Sequence, residues 1–145
     1  MKKILLIFIS MVWIVGTQAQ LFNKKVNRFG EDGLKTGKWI TYWDEEEKVP
    51  MSIARFDHGK EIGVSKEFHQ NGELRMKFRH QKDRIRVKYY SNERKLEQKG
   101  WARMEYSKDN VRYYWHGKWK FYNDKRKLVR VTMYQNGEEV LSAIQ

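Results

Sequence analysis

Cysteine is absent from all 145 residues. That removes disulfides, thiolate metal sites, cysteine nucleophiles and lipidation at a signal-peptide cysteine. Proline occurs once, at Pro50, while aromatics reach 14%; this balance favours sheet over disorder despite a low mean hydropathy. Long apolar runs are missing too. The stretch from Ile4 to Val15 falls well short of the roughly 20 residues that span a bilayer, and no other segment is apolar enough to cross one. There is no Gly-rich phosphate loop, nucleophile elbow or HExxH pattern. Acidic residues are in the minority, with Lys+Arg 30 against Asp+Glu 18 and a formal net charge of +12.

What is present begins with a processing signal. Lys2 and Lys3 form a basic start, Ile4 to Val15 an apolar run, and Gly16-Thr17-Gln18-Ala19 a small-residue exit. Residues 1–19 therefore read as a signal peptide cut after Ala19, which predicts a periplasmic or secreted protein. An exported chain without disulfides depends on burial and hydrogen bonding for its stability, and the mature length fits one domain. The basic excess survives the loss of Lys2 and Lys3. Outside the cytosol it favours anionic lipid headgroups, acidic polysaccharide or acidic protein as partners over nucleic acid.

The tract Gly37-Lys38-Trp39-Ile40-Thr41-Tyr42 returns as Gly117-Lys118-Trp119-Lys120-Phe121-Tyr122, the mark of a chain assembled from copies of one small unit. Each copy has a strand ending in an aromatic, a polar turn, and a leucine or valine opening a second strand. Phe68 to Leu74, Tyr90 to Leu96 and Tyr122 to Leu128 share one spacing, and Tyr42 to Lys48-Val49 is a wider version in which Pro50 predicts a bulge. Met76 and Phe78 alternate with basic residues, as do Ile85, Val87 and Tyr89, which is strand periodicity. Asn71-Gly72 and Asn136-Gly137 are turn signals. Ala102, Met104 and Tyr106 lead into a loop from which Val111, Tyr113 and Trp115 return, predicting a hairpin with Met104 opposite Tyr113. The expected fold is all-β. A lead-in over residues 20–36, with a strand near Phe29 and a loop at Glu31 to Gly33, precedes a repeat domain over 37–145.

Gly-Lys-Trp-x-x-Tyr, then a turn, a leucine, an aromatic and Asn-Gly, resembles the MORN-repeat variant of bacterial envelope and antitoxin-like proteins. The likeness covers roughly residues 33–140 and is fullest where Trp119, Tyr122, Leu128, Tyr134, Asn136 and Gly137 fall in place. Copy two departs with Ser65 in the tryptophan position; copy three has Ile85 for the glycine and Asn92-Glu93-Arg94 in the turn. The resemblance implies repeated antiparallel hairpins in an elongated, largely single-layer sheet. It implies no enzymatic activity and no cofactor, and a function in scaffolding, or in lipid or protein binding. A cytoplasmic antitoxin role conflicts with the export signal.

The strongest local feature is Arg75-Met76-Lys77-Phe78-Arg79 followed, after a loop at 80–83, by Arg84-Ile85-Arg86-Val87-Lys88. Folded on itself, this run sets Phe78 against Ile85 and Met76 against Val87 on one side. The other side then holds Arg79 opposite Arg84, Lys77 opposite Arg86, and Arg75 opposite Lys88. Like charges across a ladder are unfavourable, and an anion would relieve them, so Arg75, Lys77, Arg79, Arg84, Arg86 and Lys88 are the candidate binding residues. Glu67 is placed to offset Arg75. The bland alternative is a hydrated face that discourages aggregation. Asp44-Glu45-Glu46-Glu47 lacks the ligand spacing of a calcium loop and reads as a solvated tip. Of His58, His69, His80 and His116, the first three recur every 11 residues at hairpin ends, and the four predict no metal site. Function is expected as a non-enzymatic envelope module for an unidentified protein or anionic component, with a scaffold that self-associates through sheet edges, or an antitoxin-like protein-binding repeat, as the alternatives.

Overall fold

Period-two alternation of apolar and charged residues becomes, among the described residues, a 12-stranded antiparallel sheet. The computed structural model describes residues 26–107 and 110–144. The expected signal peptide, residues 1–19, lies outside them, as does the lead-in up to residue 25. Among the described residues there is no helix.

The first strands of the four copies are β2 (Lys35–Tyr42), β5 (Val64–Phe68), β7 (Ile85–Tyr90) and β10 (Gly117–Tyr122). The second strands are β3 (Pro50–Asp57), β6 (Leu74–His80), β8 (Leu96–Tyr106) and β11 (Leu128–Gln135). Short β1 (Arg28–Phe29), β4 (Lys60–Glu61) and β9 (Val111–Trp115), with β12 (Glu138–Ile144), complete the set. Spatial order follows chain order from β1 to β12, an open meander, with β4 and β9 pairing on β3 and β8.

The expected turn pairs form: Phe68 faces Leu74, Tyr90 faces Leu96 and Tyr122 faces Leu128. Tyr42 faces Pro50. A bulge interrupts each pairing one residue before the aromatic, at Thr41/Tyr42, Glu67/Phe68, Tyr89/Tyr90 and Phe121/Tyr122. Three of these copies have no proline, so the bulge belongs to the repeat and not to Pro50. Side chains just beyond the bulge secure the turns. Asp44, Ser91 and Asn123 each accept two backbone N–H bonds from their own turn, and the two donated to Asp44 hold its carboxyl below the usual range. Copy two has His69 at the place of Ser91 and Asn123; its ring bonds Tyr90 O of the next copy.

Glycine has a defined task at two copy junctions. β4 and β5 run along β3 as one strand broken at Gly63 (φ 69), and β9 and β10 run along β8 broken at Gly117 (φ 75). Positive φ re-aims the strand at little steric cost. Copy three needs no such break, because β7 pairs with β6 in unbroken register. Ile85 therefore fits there and is buried.

The inner face carries the core: Ile85, Val87, Ala102 and Trp119, flanked by Phe78, Tyr89, Met104, Trp115, Phe121 and Tyr134. Trp119 is fully buried, stacks on Trp115 at 3.7 Å and donates its indole N–H to Trp101 O at 2.7 Å. It lies directly over Gly100, where a Cβ would fall 2.2 Å from the ring. Copy two solves the same position with small residues, Ser65 and Ala54, both buried. Tyr113 sits over this copy against Phe78, and burial pushes its hydroxyl far above the usual phenol range. Tyr113 and Met104 pair as expected, as do Glu105 and Arg112.

Candidate functional site

Residues directly opposite one another in an antiparallel pair share a sheet face, so the register decides which cations meet. Lys66 faces Lys77, Lys77 faces Lys88, Lys88 faces Lys99, and Lys99 faces Lys120. One lysine per strand thus crosses β5, β6, β7, β8 and β10 in a single row. Beside it run Arg79 and Arg86, also opposite each other, and Arg86 faces Trp101. Lys77, Arg79, Arg86, Lys88, Gln81 and Trp101 line a groove of about 300 Å³. Trp101 organises the guanidiniums: Arg84 lies 4.1 Å and Arg86 5.0 Å from its ring. Such stacking holds a cation without neutralising it.

The pairing expected between β6 and β7 is corrected by two residues. Phe78 faces Val87 rather than Ile85, Met76 faces Tyr89 rather than Val87, Arg79 faces Arg86, and Lys77 faces Lys88. His80 joins the strand opposite Ile85, and the loop is Gln81 to Arg84, closed by Gln81 N–H to Arg84 O at 2.9 Å. A shift of two preserves the face of every side chain, so the cationic side survives with different partners.

Of the six expected cations, the groove gathers Lys77, Arg79, Arg86 and Lys88. Arg84 is outside the ladder, in the loop, where Nε donates to Gln81 Oε1. Arg75 is bound by the Glu67 carboxylate and borders a separate hollow beside Trp43 and His69. Among the described residues, Lys66, Lys77, Arg79, Arg86, Lys88, Lys99 and Lys120 form no salt bridge. Lys77, Lys88, Lys99 and Lys120 are half-buried, and Lys99 Nζ lies 5.1 Å from the centre of the Tyr122 ring.

Lys66, Lys99, Lys120 and Trp101 escaped the sequence reading. Their signals are visible in retrospect: Lys66, Lys77, Lys88 and Lys99 recur at a constant interval, and Trp101 alternates with Ala102 and so points to the cationic side.

A second polar cluster lies on the inner face. Ser65 Oγ donates to Glu61 Oε2 at 3.0 Å and meets His80 Nε2 at 2.9 Å, and that nitrogen also lies 3.0 Å from Glu61. Both partners converge on one ring nitrogen, whereas a serine nucleophile needs a free imidazole nitrogen toward it and the carboxylate on the other. The cluster reads as a satisfied polar floor to a pocket of about 320 Å³ with Phe78, Met76 and Met104. The hydrogen bond from His80, aided by Ser65, holds Glu61 below its ordinary 4.5. A carboxylate depressed on folding adds stability above its unfolded value and loses it as pH falls through the folded one. Glu61→Gln is therefore expected to flatten the decline in melting temperature below pH 4.5, measured by thermal unfolding across an acid series.

The other histidines are dispersed. His58 sits in an exposed turn beside Asp57, and His116 marks the β9–β10 break. No group of three metal-ligating side chains converges among the described residues. No family model and no curated protein matches this sequence.

Proposed function

We propose that this chain is an exported, non-enzymatic binding module of MORN-like hairpin repeats. It holds an anionic component of the cell envelope on its cationic face. The observation that carries the reading is the groove in which Lys77, Arg79, Arg86 and Lys88 converge with no carboxylate in its lining. Adjacent like charges across a ladder destabilise the sheet by a few tenths of a kcal/mol per pair, to order of magnitude; a bound anion reverses that sign. The test is retention of the mature chain on phosphatidylglycerol vesicles and on an acidic polysaccharide as salt is raised. Between about 0.1 M and about 1 M salt the screening length falls from about 10 Å to about 3 Å. Binding is expected to be strong at the first and lost at the second. Absence of binding at low salt, or indifference to salt, would remove the proposal.

One observation favours a second reading, assembly through the sheet edge. Among the described residues the β12 strand pairs with β11 alone, and it exposes Val140, Leu141 and Ile144 at 57, 66 and 87%. An apolar edge strand is a template for pairing with another copy. Under this reading, sedimentation gives a dimer or larger species that persists in about 1 M salt and becomes monomeric in Leu141→Lys. A monomer at all salt concentrations eliminates it.

A further inference from the structure

Resting on the anion-binding reading, we infer that the ligand is a linear acidic polysaccharide lying across the strands along the lysine row, one charged sugar per strand. The geometry of the row carries the argument. Lys66, Lys77, Lys88, Lys99 and Lys120 occupy successive strands in register. Neighbouring strands lie about 4.8 Å apart, so the row sets its lysines on the backbone at that repeat over about 19 Å. That repeat is close to the length of one pyranose residue. A polymer with a carboxylate or sulfate on each sugar therefore presents its charges in step with the lysines.

The row has definite ends, since Ile53 faces Lys66 on one side and Val131 faces Lys120 on the other. A finite cationic track bounded by apolar residues fits a short segment of a thread. A bilayer fits less well. The groove between Lys77, Arg79, Arg86 and Lys88 is recessed, with half-buried lysine stems, and a plane of headgroups reaches the rims of such a groove but not its floor. Single-stranded nucleic acid fits less well again, because its binding relies on open aromatic platforms for the bases. In the groove that ring is Trp101, and the guanidiniums of Arg84 and Arg86 already lie over it.

The ligand gains contacts strand by strand, so affinity must grow with its length. The experiment is calorimetric titration of the mature protein with oligogalacturonates of increasing length, alongside phosphatidylglycerol vesicles and oligothymidylate. Affinity is expected to rise at least about 30-fold from dimer to hexamer, levelling off once the five lysines of the row are occupied, with Lys99→Gln and Lys120→Gln each reducing hexamer affinity by a larger factor than dimer affinity. Equal affinity for dimer and hexamer overturns the inference, as does tighter binding of vesicles or oligothymidylate than of the hexamer. Salt-sensitive anion binding with no length dependence would sink this inference and leave the anion-binding reading standing. No binding of any anion would sink both. The lysine variants change exposed ends of side chains, and unaltered circular dichroism will separate lost contacts from lost fold.

Discussion

Gly100→Ala is expected to lower the melting temperature by about 10 °C, from a loss of about 3 kcal/mol at about 3–4 °C per kcal/mol for a domain of this size. The methyl group would fall 2.2 Å from the Trp119 ring, closer than any van der Waals contact permits. Neither partner has room to yield. Trp119 is fully buried, stacked on Trp115, and tied to Trp101 O, so moving the indole breaks a buried hydrogen bond along with the stack. Backbone strain does not enter, because Gly100 is not among the positive-φ positions; the effect is steric. Copy two supplies the control. There Ser65 and Ala54 occupy the equivalent places, a small side chain beside a Cβ. In a Trp119→Ser background, Gly100→Ala should therefore cost far less than in the native chain. Thermal unfolding of the two single variants and the double variant measures the coupling. Equal effects of Gly100→Ala in both backgrounds would show that the ring and the glycine are not matched.

Reversing the groove charges should have the larger effect on binding and little on folding. Near an anionic surface each basic side chain contributes about 1 kcal/mol. Replacing Lys77, Arg79, Arg86 and Lys88 by glutamate should therefore weaken anion binding at least about a thousandfold at low salt. Arg84 is left out of the set because it sits in the loop, and Arg75 because Glu67 already engages it. The fold should tolerate the change. All four side chains project from the outer face, and the new carboxylates at positions 77 and 88 would have Lys66 and Lys99 opposite them in the ladder. Far-UV circular dichroism should be unchanged while association with anionic ligand disappears. Persistence of that association in a folded variant would eliminate the cationic face as the binding surface.

The strands, the hairpin turns and one apolar face were legible in the residues because each arises from short-range chemistry. Alternation at Ile85, Val87 and Tyr89 shows which side is buried, and the spacing from Phe68 to Leu74 sets a turn closed at His69 and Glu73. The candidate site was half legible. Lys77, Arg79, Arg86 and Lys88 were found because they crowd one hairpin. Lys66, Lys99 and Lys120 lie on other hairpins, and their alignment depends on four pairings being known at once.

Register marks the division. Alternation detects a slip of one residue, which would send Val87 to solvent, but a slip of two leaves every side chain on its own face. The choice between the two settings of β6 on β7 was made by distant groups. In the observed setting, Ile85 and Val87 are buried beside Ala102 and Gly100 from β8, and His80 reaches Ser65 and Glu61. The residues alone determined an all-β chain of repeated hairpins with one basic face. Only the packed sheet decided that the lysines form a continuous row, because that row is the sum of separate registers, each held by core contacts lying outside the hairpin it aligns.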